Sequence, residues 1–292
     1  MDFGPQYQHD DPFKAAARLH QSRYRVAVLH VDFCEYGNRL TDEDGRALLN
    51  YYDGLGVRKA LRRRYPRYSK KRDADMLRSE HIPFNVLAPL EGRPELTRHI
   101  LAAGLGLDLV GPYETRIEWA PEPADHYLGD KTSFDGYIQG VGSAGEVVGV
   151  GIEVKYTEKG YPIGASEAAR VDDPKSTYWT TTRESGVFVG GGCKSLADDD
   201  LRQIWRNHLL GLAMVQRGDV DDFVSITLYP AGNEHFTVAL GTYQGQLLDE
   251  ARRSVRGCTF EDYIGCLHGD NGIEAWRQYL ADRYLIRRRA LH

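Results

Sequence analysis

Residues 147–156, VVGVGIEVKY, constrain the fold more than any other stretch of the chain. Val148, Val150, Ile152, Val154 and Tyr156 fall on every second position, so a strand here turns one continuous apolar face toward a core. The alternate positions run Val147, Gly149, Gly151, Glu153 and Lys155. That second face is bare until it presents an acid and a base two residues apart. An ordinary amphipathic strand with its polar side in water has the same pattern, because surface Glu-x-Lys pairs are common. The neighbouring segments therefore have to decide.

Thr132–Val141 reads as a strand too, and Gly142-Ser143-Ala144-Gly145 between the two is a hairpin signal. Folded about Ala144, the hairpin sets Asp135 directly opposite Glu153. Opposed residues share a face of the sheet with Cβ atoms ~5 Å apart. Two carboxylates held that close repel unless a cation lies between them. Two carboxylates, a backbone carbonyl and waters make a ligand set that suits Mg²⁺. Lys155 would stand beside it, placed to orient a water or to stabilise an anionic transition state. Register decides the matter, since a one-residue slip sends one of the acids to the other face.

The rest of the chain reads as alternating helix and strand. Residues 1–22 are polar, an arm or short peripheral helix. An apolar pattern at Tyr24–Val31 is followed by loop chemistry at Gly37-Asn38 and Asp44-Gly45. Pro94–Leu105 reads as a helix with proline in its first turn, and Arg116–Ala120 as a short strand. Residues 157–194, rich in Gly, Ser and Thr, read as a long connection with one small hairpin, in which Tyr178, Trp179 and Arg183 could form a substrate loop. Leu201–Arg217 has the apolar stripe Leu201, Ile204, Trp205, Leu212 and Val215, and Gly218 stops it. Asp222–Tyr229 is a further strand, ended by Pro230. The tail alternates loop and helix and finishes with Ile273–Arg289. This is an α/β pattern in one domain over residues 1–292.

Asp135 on one strand, followed after 18 residues by Glu153-Val154-Lys155 on the next, resembles the PD-(D/E)XK nuclease superfamily. Phe134 stands where the family's name has proline. The segments RSEHIPFNVLAPL (78–90) and QIWRNHLL (203–210) are similar to a bacterial, restriction-endonuclease-like branch of it. The resemblance covers about residues 73–230 and implies a restriction-endonuclease-like core there, with a basic and helical N-terminal extension over 1–72 and a helical C-terminal extension over 231–292. That core is a central mixed β-sheet flanked by helices, in the order helix, three strands, helix, strand, here with peripheral helical additions. It also implies Mg²⁺-dependent phosphodiester hydrolysis, with Mn²⁺ as a substitute. Asp135, Glu153 and the Val154 carbonyl would hold the metal, and Lys155 would stand next to the nucleophilic water. Glu80 matches the acid that members often carry from an early helix, and its alternative is a plain helix-end carboxylate. Gln203 matches the family's glutamine or lysine on the helix after the catalytic strand. Arg206 and His208 could reach phosphate from that helix, although His208 lies near the apolar stripe and reads better as a core histidine.

The chain has 37 basic and 42 acidic residues, a net charge of −5 that excludes a binder acting through bulk positive charge. Distribution qualifies that total. Arg58, Lys59, Arg62, Arg63, Arg64, Arg67, Lys70, Lys71, Arg72 and Arg78 are interleaved with Tyr65 and Tyr68, with Pro66 breaking any single helix. The run reads either as a solvated face or as a phosphate footprint, which Arg287-Arg288-Arg289 could extend. Six phosphate contacts would weaken binding by ~10³ between 50 and 200 mM salt. The four cysteines lack metal-site spacing and suit a reducing, cytoplasmic setting, and no apolar run is long enough for a membrane. Three functions stay open: a DNA endonuclease of restriction or anti-phage defence, a nuclease of RNA or tRNA, and a non-catalytic nucleic-acid-binding module. Many members of the family cut as dimers, which admits a homodimer, and a partner protein of a defence system stays undetermined.

Overall fold

The computed structural model describes residues 2–160 and 162–286. Asp11 caps α1 (Pro12–Tyr24) by accepting from the Lys14 N–H, and the chain then forms a two-stranded ribbon of β1 (Phe33–Cys34) and β2 (Tyr36–Leu40). Gly37-Asn38 thus lies in a strand, and Asp44-Gly45 in α2 (Asp42–Arg46), where the sequence suggests loops. Tertiary bonds override local preference at both places. Asn38 is buried between Arg18 and Asp75, and the Thr41 hydroxyl accepts the Asp44 N–H to start the helix. The basic stretch divides at Pro66 into α3 (Val57–Arg64) and α4 (Lys70–Asp73). Then α5 (Ile82–Leu87) and α6 (Pro94–His99), extended by a wider turn to Gly104, lead into the main sheet.

Strands β3 (Val110–Trp119), β4 (Phe134–Val141) and β5 (Val147–Val154) pair antiparallel in sequence order. After α7 (Ala165–Asp172), α8 (Thr177–Glu184) and α9 (Arg202–Arg217), β6 (Asp222–Tyr229) joins β5 in parallel. Beyond α10 (Glu234–Gln244), β7 (Val255–Thr259) pairs with β6 in parallel, and α11 (Phe260–Gly265) and α12 (Asn271–Tyr284) follow. The sheet order is β3-β4-β5-β6-β7, a mixed sheet flanked by helices.

The order helix, three strands, helix, strand is present as expected. Three local expectations change. The stretch 157–194 is built around α7 and α8 rather than a hairpin, and Tyr178 and Trp179 are buried against Trp205 instead of forming a substrate loop. The tail contributes a fifth strand, β7. The strand around Arg116–Ala120 starts earlier, at Val110. Arg287-Arg288-Arg289 lie outside the described residues.

Alternation in β5 has the expected consequence on one face. Val148, Val150, Ile152 and Val154 join Ile138, Val224 and Ile226 in a core covered by α3, α5, α11 and α12. The opposite face is not bare, because Gly149 and Gly151 make room for rings. A Cβ on Gly151 would stand 2.6 Å from both Phe134 and Phe223. Phe223 also fills a notch in α9, where a Cβ on Gly211 would lie 2.0 Å from its ring. Two glycines facing one phenylalanine therefore let α9 settle directly on the sheet, and this brings the first turns of α9 down to the end of β5.

Gly211→Ala should destabilise the protein by about 1–3 kcal/mol, since overpacking against Phe223 outweighs the better helix propensity of alanine. Gly241→Ala in α10, with open space around its Cβ, should be neutral or stabilising by a few tenths of a kcal/mol up to about 1. Urea denaturation checks the pair, and equal effects at the two sites would contradict the packing account.

Candidate active site

Register places the acids. Gly136 pairs with Ile152 across β4 and β5, so the next rung sets Asp135 against Glu153. On the other side of β4, Ile117 pairs with Gly136 and Trp119 with Phe134, which puts Glu118 on the rung of Asp135. Glu153 in turn pairs with Thr227 of β6. One row across four strands therefore reads Glu118, Asp135, Glu153 and Thr227.

Hydrogen bonds fix the centre of this row. The Val154 N–H donates to Asp135 Oδ2 at 2.6 Å. Lys155 Nζ donates to Glu153 Oε1 at 2.5 Å, with only 7% of the lysine side chain and 14% of the glutamate side chain exposed. A polar strand face turned to water would leave both far more open. From α9, Asn207 Nδ2 donates to Glu153 Oε2 at 2.6 Å and Gln203 Nε2 donates to Glu153 Oε1 at 3.4 Å. Residues four apart share a helix face, so Gln203 and Asn207 act on one carboxylate together.

Crowding of negative charge shifts the ionisation of this group. Burial, followed by the facing charges of Glu153 and Glu118, pushes Asp135 well above the usual carboxylate range, with Lys155 and the Val154 N–H opposing. Burial likewise pushes Glu118 up to about 7, against the hydrogen bond donated by the Tyr65 hydroxyl. Burial pulls Lys155 down, but Glu153 and Asp135 outweigh it and hold the ammonium above the ordinary lysine value. Lys155 is therefore a cation throughout the neutral range. Three carboxylates facing one lysine fit a divalent cation. Among the described residues no group of three or more His, Cys, Asp or Glu side chains is placed to hold one ion.

Glu118 and Asn207 escape a sequence reading. Asn207 had a signal, its four-residue spacing from Gln203. Glu118 had none. It adopts φ +52°, a left-handed conformation unusual for a residue with a Cβ, and such strain concentrates at functional sites.

Other expected residues sit farther out. Glu80 lies on a single turn, held by Arg78 at 2.8 Å and Lys71 at 3.9 Å, and reaches the row through its field on Glu118. Arg206 donates to Thr132 Oγ1 at 2.8 Å and pairs with Asp130 at 3.5 Å and Glu167 at 3.1 Å. His208 is wholly buried between the Tyr243 hydroxyl and Ser254, and burial lowers it to about 3. Along the basic stretch, Arg58 pairs with Asp53, Arg63 with Glu91, Lys70 with Asp42 and Lys71 with Glu80, while Arg64 donates to the Glu118 carbonyl. Arg72 is buried on Asp73 and over the Tyr65 ring. Lys59, Arg62 and Arg67 point to solvent.

A helix-flanked mixed sheet whose adjacent strands bring together two carboxylates and a buried lysine defines an α/β fold of the restriction-endonuclease-like class. A family model described as the PD-(D/E)XK nuclease superfamily matches residues 8–286. The chain belongs to that superfamily, whose members are nucleases that generally use divalent metal ions. No curated protein and no solved structure matches it significantly.

Glu118 gives the site a pH signature. Its folded value of about 7 stands above the ordinary 4.5. The stability that the neutral carboxyl contributes is therefore fully present below about pH 4.5 and lost as pH rises through about 7. Glu118→Gln keeps an acceptor for Tyr65 and removes this loss. Relative to the parent in EDTA, the variant should gain stability between these two pH values, about 3 kcal/mol in all, and level off above them. Denaturant titrations across that range test it, and a difference independent of pH would contradict the placement of Glu118.

Proposed function

We propose that the protein is a metal-dependent endonuclease that hydrolyses phosphodiester bonds in DNA, acting in restriction or anti-phage defence. The observation that carries this reading is the shared rung of Asp135 and Glu153 with Lys155 buried against it. Asp135, Glu153 and the Val154 carbonyl would hold Mg²⁺, with Mn²⁺ as a substitute. The ion, when bound, supplies Lewis-acid activation and neutralises charge on the phosphate. The remaining work belongs to the side chains. Lys155 stays protonated, so it donates a hydrogen bond and stabilises the extra negative charge of the transition state rather than taking a proton. Gln203 and Asn207 hold the Glu153 carboxylate in one orientation. Glu80 adds negative charge at the rim beside Arg78. The exposed Lys59, Arg62 and Arg67 of the basic stretch, together with its paired members and Arg206, would contact backbone phosphates and set position, not sequence.

We read residues 1–292 as one nuclease domain of the cytoplasm, with the free thiols of Cys34, Cys193, Cys258 and Cys266 suited to a reducing compartment. Among the described residues no helix is long and apolar enough to cross a membrane. A homodimer would let two sites cut opposite strands.

The test is cleavage of supercoiled plasmid and of a structured RNA offered together, with Mg²⁺ or EDTA. DNA should be cut only with the divalent ion. Asp135→Asn and Lys155→Met should lower the rate at least ~10²-fold while circular dichroism stays unchanged. Undiminished cutting by either variant would refute the site. Preferential loss of the RNA would move the substrate to RNA, and salt-sensitive binding without cleavage of either polymer would make the protein a binding module.

A further inference from the structure

Helix α9 carries a second polar stripe beside the one that holds Glu153. Arg202 and Arg206 lie one turn apart, each the residue before Gln203 or Asn207. Both guanidinium groups converge on one carboxylate oxygen. Arg202 Nε and Arg206 Nη1 each stand 3.1 Å from Glu167 Oε1, with the three side chains 3%, 16% and 12% exposed. Two arginines closing on a single acidic oxygen form the kind of fork that binds a phosphate, whose tetrahedral oxygens take several N–H donors at once.

The acid that fills this fork comes from an element with little else to hold it. Helix α7 buries none of its residues, and Gly160 and Gly164 precede it. Beside the packing of Val171 on the core, it is held by polar contacts. Glu167 reaches the two arginines, Arg170 donates to the Gly129 carbonyl, and the Val171 carbonyl accepts from Trp179 Nε1 at 2.7 Å. A short helix whose apolar contact with the core is confined to the half-buried Ala168 and Val171 opens at small free-energy cost once its ionic anchor is exchanged.

We propose that Arg202 and Arg206 form a phosphate subsite for a nucleic-acid backbone, bridged by Glu167 in the free protein, while Asp199 at 2.5 Å from Arg202 and Asp130 at 3.5 Å from Arg206 hold their outer sides. Substrate phosphate displaces Glu167 and releases α7 from the face of α9. Helix α7 is then a self-competitor that lowers the apparent affinity by the fraction of molecules in which it is seated. Because Gln203 and Asn207 hold Glu153, a phosphate on the neighbouring arginines lies next to the catalytic row. The identity of the ligand rests on the nuclease reading, whereas the exchange of one anion for another does not.

Binding of fluorescein-labelled DNA and RNA oligonucleotides, single-stranded and duplex, is measured in EDTA, where nothing is cut. Glu167→Gln should bind about three- to tenfold more tightly than the parent. Asp172→Asn removes the same charge from α7 without touching the fork and should change binding less than twofold. Adding Arg206→Gln to Glu167→Gln should abolish the gain. Inorganic phosphate should raise the melting temperature of Glu167→Gln more than that of the parent. Hydrogen exchange across residues 165–172 of the parent should quicken when oligonucleotide binds. Equal affinity of Glu167→Gln and the parent, a gain that survives Arg206→Gln, or unchanged exchange in α7 would each overturn the subsite. So would failure of both proteins to bind either polymer. Cleavage with Mg²⁺ is scored separately: cutting without the Glu167→Gln gain removes only the subsite, and the gain without cutting removes only the nuclease reading.

Discussion

Repulsion between Asp135 and Glu153 is the tension around which the site is organised. The β4–β5 register sets the two carboxylates on one rung, and Glu118 joins them from β3. Like charges this close in a largely buried setting cannot all stay ionised without compensation. Three answers are visible in the structure. Asp135 takes a backbone N–H, Glu153 takes Lys155 and two α9 amides, and Glu118 takes the Tyr65 hydroxyl. A single lysine leaves the row short of positive charge, and that deficit is what a divalent cation would relieve.

The surroundings can be read as support for this arrangement. Side chains of β5 on the even face anchor the strand in a core shared with the N- and C-terminal helices, so the rung cannot slip without burying charge. On the odd face, Gly151 and Gly211 admit the Phe223 ring and let α9 approach. Without that approach Gln203 and Asn207 would not reach Glu153. The terminal segments beyond the core also reach the chain just past the end of β5. Gln21 of α1 donates to the Tyr156 hydroxyl and to the Arg283 carbonyl of α12, tying these two helices behind the site.

Much of this was legible in the sequence because it is local or periodic. Alternation over Val147–Tyr156 and the glycine-rich turn are enough to set the register, and the apolar stripe of α9 with Gly218 as its stop marks that helix almost to the residue. What escaped depends on distant partners. Helix α7 has no buried residue and is pinned by Glu167 to arginines 35 and 39 positions away in sequence, so no periodicity announces it. Strand β7 is five residues long with two apolar positions buried, and only its parallel pairing with β6 makes it a strand. Glu118 enters the row through a left-handed backbone conformation imposed by the fold, and the glycines of β5 read as empty space because Phe134 and Phe223 come from other strands.

Calorimetric titration of the protein with Mg²⁺ or Mn²⁺ near pH 6.5, in buffers of different ionisation enthalpy, tests the central claim most directly. A cation entering the row must discharge protons from carboxyl groups held above their ordinary range. The account predicts saturable binding with proton release, both lost in Asp135→Asn. Absence of binding heat in the parent, or binding with proton release unaltered in that variant, would contradict it.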